Sequence, residues 1–303
     1  MPQKITAALL FLILMTGHFM NPLYLTVNQN LAGRVVILDA GHGAEKPNVW
    51  EDYFEHVAML ELAYKLKPLL EARGARVLMT RTTESDVPHS VRCAMINRWA
   101  LLELRDMEQS YRGIGRLIDI MQSVIDDPEE NEEIYFNTPF DYTYEREIHP
   151  DLKRIFEYEA DSLISDRFLM ISLHSNATPL PIDTSQNGVD IFYMSNSLEK
   201  NMTYYSGYTN VQRSFYFANL LLDDIGRLGL EKRDISDYYY FMIREHNLPA
   251  VLVENGFHTN DEDRAKLSDG AFLDKLAEAY VQAILYYFTV VELNGASVEE
   301  YAL

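Results

Sequence analysis

Residues Arg34-Val35-Val36-Ile37-Leu38-Asp39-Ala40-Gly41-His42-Gly43 decide the fold. Four consecutive apolar residues, Val35 to Leu38, are too few for a helix. They form the kind of run expected of a strand buried on both faces, and the Asp39 to Gly43 turn ends it. Leu60, Ala63, Leu66 and Leu70 then recur three or four apart, which predicts an amphipathic helix stopped at Gly74, and Val77 to Thr80 reads as a second strand. This βαβ opening predicts a single α/β domain of three layers, a mixed and mostly parallel twisted sheet flanked by helices.

The rest of the chain extends the pattern. Buried strands are expected at Phe168 to Leu173, Gly188 to Tyr193 and Ala250 to Val253. One helix carries Phe217, Leu220, Leu221 and Ile225, and a C-terminal helix from about Gly270 to Tyr287 carries Phe272, Leu276, Tyr280 and Ile284 on one face. Between about residues 101 and 159 the rhythm gives way to an acidic, Tyr-rich insertion, within which Gly113 to Ile125 has helical spacing. The insertion reads either as a surface excursion or as a lid offering Glu145, Glu147 or His149 to the site.

Bulk properties narrow the function. The 303 residues carry a formal charge of −20, the wrong sign for binding a phosphate backbone, so nucleic acid is excluded as a partner class. The single cysteine, Cys93, rules out an intrachain disulfide and a thiolate metal cluster, and reads as a small buried residue. Lys4 and the apolar run from Ile5 to about Met15 fit an export signal, so residues 1–30 read as a signal peptide or an uncleaved anchor. Residues 31–290 are expected to form one folded domain and 291–303 a tail. Any membrane contact is expected only through that N-terminal segment.

Three strands end in metal-competent or acid-base residues: His42, His174 in Ile171-Ser172-Leu173-His174-Ser175-Asn176, and Glu254 in Val251-Leu252-Val253-Glu254-Asn255-Gly256-Phe257. Strand ends are where open α/β sheets place their sites. A lone histidine after a strand is ordinary, but a carboxylate closing an apolar run needs a partner or a metal. Two histidines and a carboxylate make a catalytic zinc set, with a second carboxylate required as base.

Taken in order, these segments resemble the zinc-dependent type 3 N-acetylmuramoyl-L-alanine amidases. Leu38 to Ala44 is similar to that family's D-A-G-H-G-G element, with Ala44 in place of the last glycine. Glu55, followed by Leu60, Ala63 and Leu66, matches its glutamate before a patterned helix, and the register favours Glu55 over the neighbouring His56. Gly74 to Arg81, Ser90 to Asn97, Ile171 to Ala177 and Leu248 to Asn260 match further elements. The resemblance implies Zn2+ held by His42, Glu55 and His174, with Glu254 as general base and Arg244 facing a substrate carboxylate or the developing oxyanion. It also implies that residues 31–290 are a catalytic domain hydrolysing the bond between N-acetylmuramic acid and L-alanine in peptidoglycan, in the periplasm or cell envelope of a bacterium, with an activator protein as a candidate partner. The alternatives are another zinc peptidase on this scaffold and an inactive binding protein. Asp39 is expected to orient His42 or cap the turn, Asn176 to fix its loop or touch substrate, and Gly41 and Gly43 to permit a tight backbone at the metal. His89, His149, His246 and His258 have no ligand counterpart and default to the surface.

Overall fold

The computed structural model describes residues 30–107, 111–135, 148–197 and 205–294. The export segment, Glu145 and Glu147 lie outside these residues.

Strand β1 (Val35–Ala40) is buried along its whole length, as its run of apolar residues requires. A two-residue hairpin, β2 (Val49–Trp50) with β3 (Tyr53–Phe54), leads into helix α1 (Glu55–Glu71), and β4 (Arg76–Met79) follows. Helices α2 (His89–Asp106), α3 (Ile114–Asp126), α4 (Pro128–Asn131), α5 (Pro150–Glu159) and α6 (Ser162–Ser165) separate it from β5 (Phe168–Asn176). Then come β6 (Val189–Tyr193), α7 (Val211–Gly226), β7 (Lys232–Asp237), α8 (Phe241–Arg244), β8 (Ala250–Phe257), α9 (Asp261–Leu267) and α10 (Gly270–Asn294).

The sheet order is β4-β1-β5-β8-β6-β7. The first four strands are mutually parallel, β6 is antiparallel to β8, and β7 is parallel to β6. Side-chain alternation along each strand divides the interior into two cores. Val36, Leu38, Ile171 and Val253 pack with Met59, Leu66, Phe217, Leu276 and Tyr280 from α1, α7 and α10. On the other face Val35, Ile37, Met170 and Leu252 meet Ile96, Leu101, Met121, Phe156 and Ile243 from α2, α3, α5 and α8. The three-layer α/β architecture expected from the opening segment is therefore the observed one.

Two regions differ from the sequence expectation. Helices α3 and α5 of the 101–159 segment do not ride on the surface: Leu117, Met121, Leu152 and Phe156 are fully or almost fully buried and pack into one layer, while α4 has no buried residue. Strand β7, Lys-Arg-Asp-Ile-Ser-Asp, has no apolar run and escapes a hydrophobicity reading, because an edge strand needs only one paired side and favours charge. Helix α10 is long and apolar enough to cross a membrane by length and composition, yet 61% of its most apolar window is buried within the fold.

Candidate metal centre

The turn after β1 carries the first site residue in an unusual backbone. His42 has φ of +59°, a region that costs an ordinary L-residue about 1–3 kcal/mol. Two buried arginines hold it there. Arg81 donates to the carbonyls of Ala40 and Gly41, and Arg92 to those of Ala40 and His42, at 2.6 to 2.9 Å. Gly41 is required by crowding, since a Cβ there would lie 2.3 Å from the His174 ring, and a Cβ on Gly43 would meet the Asp86 backbone at the same distance.

Asp39 neither orients His42 nor caps the turn. Its carboxylate accepts from Thr80 Oγ1, Ser172 Oγ and Arg92, tying β1 to β4, β5 and α2. Burial alone would raise its pKa, but the Arg92 charge and the two hydroxyls outweigh it and hold it at about 2.

Glu55, the first residue of α1, is fully buried and meets both histidines. Its Oε1 lies 3.0 Å from His174 Nδ1 and also accepts from the Ser175 amide, while its Oε2 lies 3.3 Å from His42 Nε2. One potential ligand atom from each of His42, Glu55 and His174 falls within 4.8 Å of the others. His56 is not in this group; its carbonyl is taken by Arg81. Glu254 stands opposite His174 in the β5 to β8 register, and its Oε2 has no hydrogen-bond partner among the described residues. Both residues lie inside their strands rather than just beyond them, because β5 and β8 run further than their apolar cores.

The charges are mutually dependent. Burial pushes His174 down, but its bond to Glu55 and the charges of Glu55 and Glu254 lift it to about 9. Glu55 is lowered: burial opposes ionisation, and the bond to His174 with the charges of both histidines prevails. Burial raises Glu254 to about 8 against the pull of His174, and the negative charges of Glu55 and Asp190 add to the rise. Two imidazoles flanking a buried carboxylate whose Oε2 has no hydrogen-bond donor fit a divalent cation of the zinc type.

Around these groups lie residues that the sequence reading passed over. Ser175 Oγ sits 3.0 Å from both the Tyr53 hydroxyl and His258 Nδ1, and the Tyr53 and His258 rings stack at 5.1 Å. His258 and His246 are 0% and 1% exposed, not on the surface, because each is packed and hydrogen-bonded within the fold. Asp190 faces Glu254 across the β6 to β8 pairing and is bound by Arg233 at 3.0 Å. The one sequence signal for it is a carboxylate interrupting the apolar strand Val189-Asp190-Ile191. Asn176 ends β5, its Oδ1 accepting from the Ala177 amide and its Nδ2 donating to Asp190 Oδ2 at 3.5 Å. His149 caps α5 by accepting from the Asp151 amide, and Cys93 is buried. Arg244 gives its Nε to Glu245 Oε1 at 2.7 Å and lies over the Phe241 ring.

Comparison with known proteins gives the family. The family profile described as N-acetylmuramoyl-L-alanine amidase matches residues 36–101 and 143–286, more than half of the chain. The chain is 23% identical over 263 residues to the N-acetylmuramoyl-L-alanine amidase AmiC of Escherichia coli O6:H1, covering 84% of this chain but only 52%, about half, of that relative. It is 22% identical over 260 residues to the germination-specific N-acetylmuramoyl-L-alanine amidase of Bacillus subtilis, covering 86% of this chain and 81% of the other. The fold matches the CwlD amidase of Clostridioides difficile, solved in complex with the GerS lipoprotein, with a TM-score of 0.52 at 20% identity over 85% of this chain and 99% of that one. The chain belongs to the N-acetylmuramoyl-L-alanine amidase family.

Proposed function

We propose that this protein is a zinc-dependent hydrolase cleaving the amide between N-acetylmuramic acid and L-alanine in peptidoglycan, in wall remodelling or daughter-cell separation. The observation that carries the reading is the convergence of His42, Glu55 and His174 within 4.8 Å, with Glu254 opposite His174 in the sheet.

In this reading His42, Glu55 and His174 hold the ion, and Glu254 is the base. When bound, zinc supplies positive charge that acidifies water and polarises an amide carbonyl. Glu254 accepts the proton of the attacking water and returns it to the nitrogen as the carbon–nitrogen bond breaks, so the products are the free lactyl carboxylate and a peptide beginning with L-alanine. The raised proton affinity of Glu254 suits a group that must both take and give a proton near neutral pH. Arg81 and Arg92 keep His42 in its left-handed conformation, and Ser175 keeps Glu55 aimed at the histidines. Arg244 enters as a receiver of substrate carboxylate only in competition with Glu245.

Export to the periplasm or envelope by the N-terminal segment, and regulation by an activator protein, belong to the same proposal. The second is supported by the lipoprotein complex of CwlD.

The test is incubation of the purified protein with peptidoglycan beside Glu254→Ala, with bound zinc measured and released fragments analysed by mass spectrometry. Stem peptides beginning with L-alanine from the wild type alone are expected. Zinc-loaded protein that releases sugars, or peptides cut within the stem, would replace this reading with another hydrolase.

A further inference from the structure

Beside Glu254 the antiparallel strand β6 starts a row of aromatic rings. Asp190 faces Glu254, and Phe192, two residues on, shares its side of the sheet. The Tyr240 ring meets Phe192 edge-on at 5.2 Å. Tyr238 lies 4.5 Å from Tyr240 and stacks on Tyr239 at 4.5 Å with planes 20° apart. The row therefore starts beside Glu254 and follows β6 along the face of the sheet toward the start of β8, and Tyr238 at its far end is 37% exposed. Burial raises the Tyr240 phenol first, and the Glu254 charge adds to it, which places Tyr240 within the electrostatic reach of that carboxylate.

Two carboxylates, Glu254 and Asp190, border the row at its inner end, and both add to the rise of Tyr240. In a chain of net charge −20 such a border repels an anionic peptide or polymer. It accepts hydroxyl and acetamide N–H donors, while the negative ring faces attract the polarised C–H bonds of a flat, uncharged partner. A sugar ring has both properties.

We infer that the Phe192, Tyr240, Tyr238 row is a glycan-binding shelf that seats the sugar side of the substrate next to the scissile amide. The inference rests on the amidase reading for its choice of substrate. It divides the cleft: sugar on the β6 and β7 side of Glu254, peptide on the other. Tyrosine suits the role, since its rigid ring presents contact area at small entropic cost.

The probe is peptidoglycan glycan strand stripped of its stem peptides, which contains no amide for the enzyme to cut at this site. Binding to the full zinc-loaded chain is measured by calorimetry for the wild type, Tyr238→Ala and Tyr238→Phe, with free stem peptide as a control. Tyr238→Ala is expected to weaken glycan binding about tenfold, the scale of one aromatic contact, while Tyr238→Phe retains it. Peptide binding should be the same in all three, which also reports that the variants are folded. Glycan binding indifferent to Tyr238→Ala, or absent in the wild type, overturns the shelf. Because no hydrolysis is involved, the two readings fail separately. Glycan binding through Tyr238 without release of stem peptides would sink the amidase reading alone.

Discussion

His174 Nδ1 and Glu55 Oε1 are 3.0 Å apart, and this contact holds a proton on the histidine up to about pH 9. A histidine binds a metal only when neutral, so that proton must leave as the ion enters. Zinc affinity is therefore expected to rise with pH, by about tenfold per unit between pH 6 and 8, with proton release seen as a buffer-dependent heat in calorimetry. Affinity that is flat over this range would show that the ion does not displace this proton.

Gly41→Ala places a Cβ 2.3 Å from the His174 ring. The ring must turn away, so zinc affinity should fall by roughly 10–100-fold, the range seen when a ligand's support is lost. Metal content after dialysis against a graded chelator reads the change, and wild-type retention would mean that the ring is free to move.

Arg92 and Asp39 form an ion pair with side chains 1% and 0% exposed. Removing one member leaves a buried charge alone, so Arg92→Leu should cost about 3–5 kcal/mol in urea unfolding. It should also loosen His42, whose carbonyl Arg92 holds. A loss below about 1 kcal/mol, typical of a surface pair, would contradict the buried geometry.

Glu159 is fully buried, its Oε2 accepting from the Asn247 amide, and burial lifts its pKa to about 8 against that bond. The folded state keeps the proton where the unfolded chain, at an ordinary carboxylate pKa, has released it. Stability should therefore fall as pH rises from about 4.5 to 8. Glu159→Gln should flatten that part of the melting curve against pH. An unchanged slope in the variant would assign the dependence to another group.

Much of the fold and of the candidate site is legible in the sequence. Val35 to Leu38, Phe168 to Leu173 and Ala250 to Val253 are buried on both faces and advertise themselves by continuous hydrophobicity. His42, Glu55, His174 and Glu254 stood out through ordered motifs, and the fold brings them to one place. What stayed hidden depends on tertiary contact. The polar edge strand β7 has no pattern of its own to read. Asp190 acquires meaning only from the reversed direction of β6, and His258 and Ser175 only from meeting Tyr53. The roles of Arg81 and Arg92 lie in which carbonyls they reach, which spacing along the chain does not reveal.

The residues proposed to hold the metal stand at positions 42, 55 and 174, and the proposed base at 254. Strand β5, which carries His174, occupies the middle of the sheet between β1 and β8. A chain that has grown to residue 150 holds two of the three proposed donors and the pair of strands β1 and β4, but not β5, which brings His174. The proposed ligands therefore meet only when β5 docks beside β1, so metal uptake is expected to report that docking, and a fragment ending before β8 lacks Glu254.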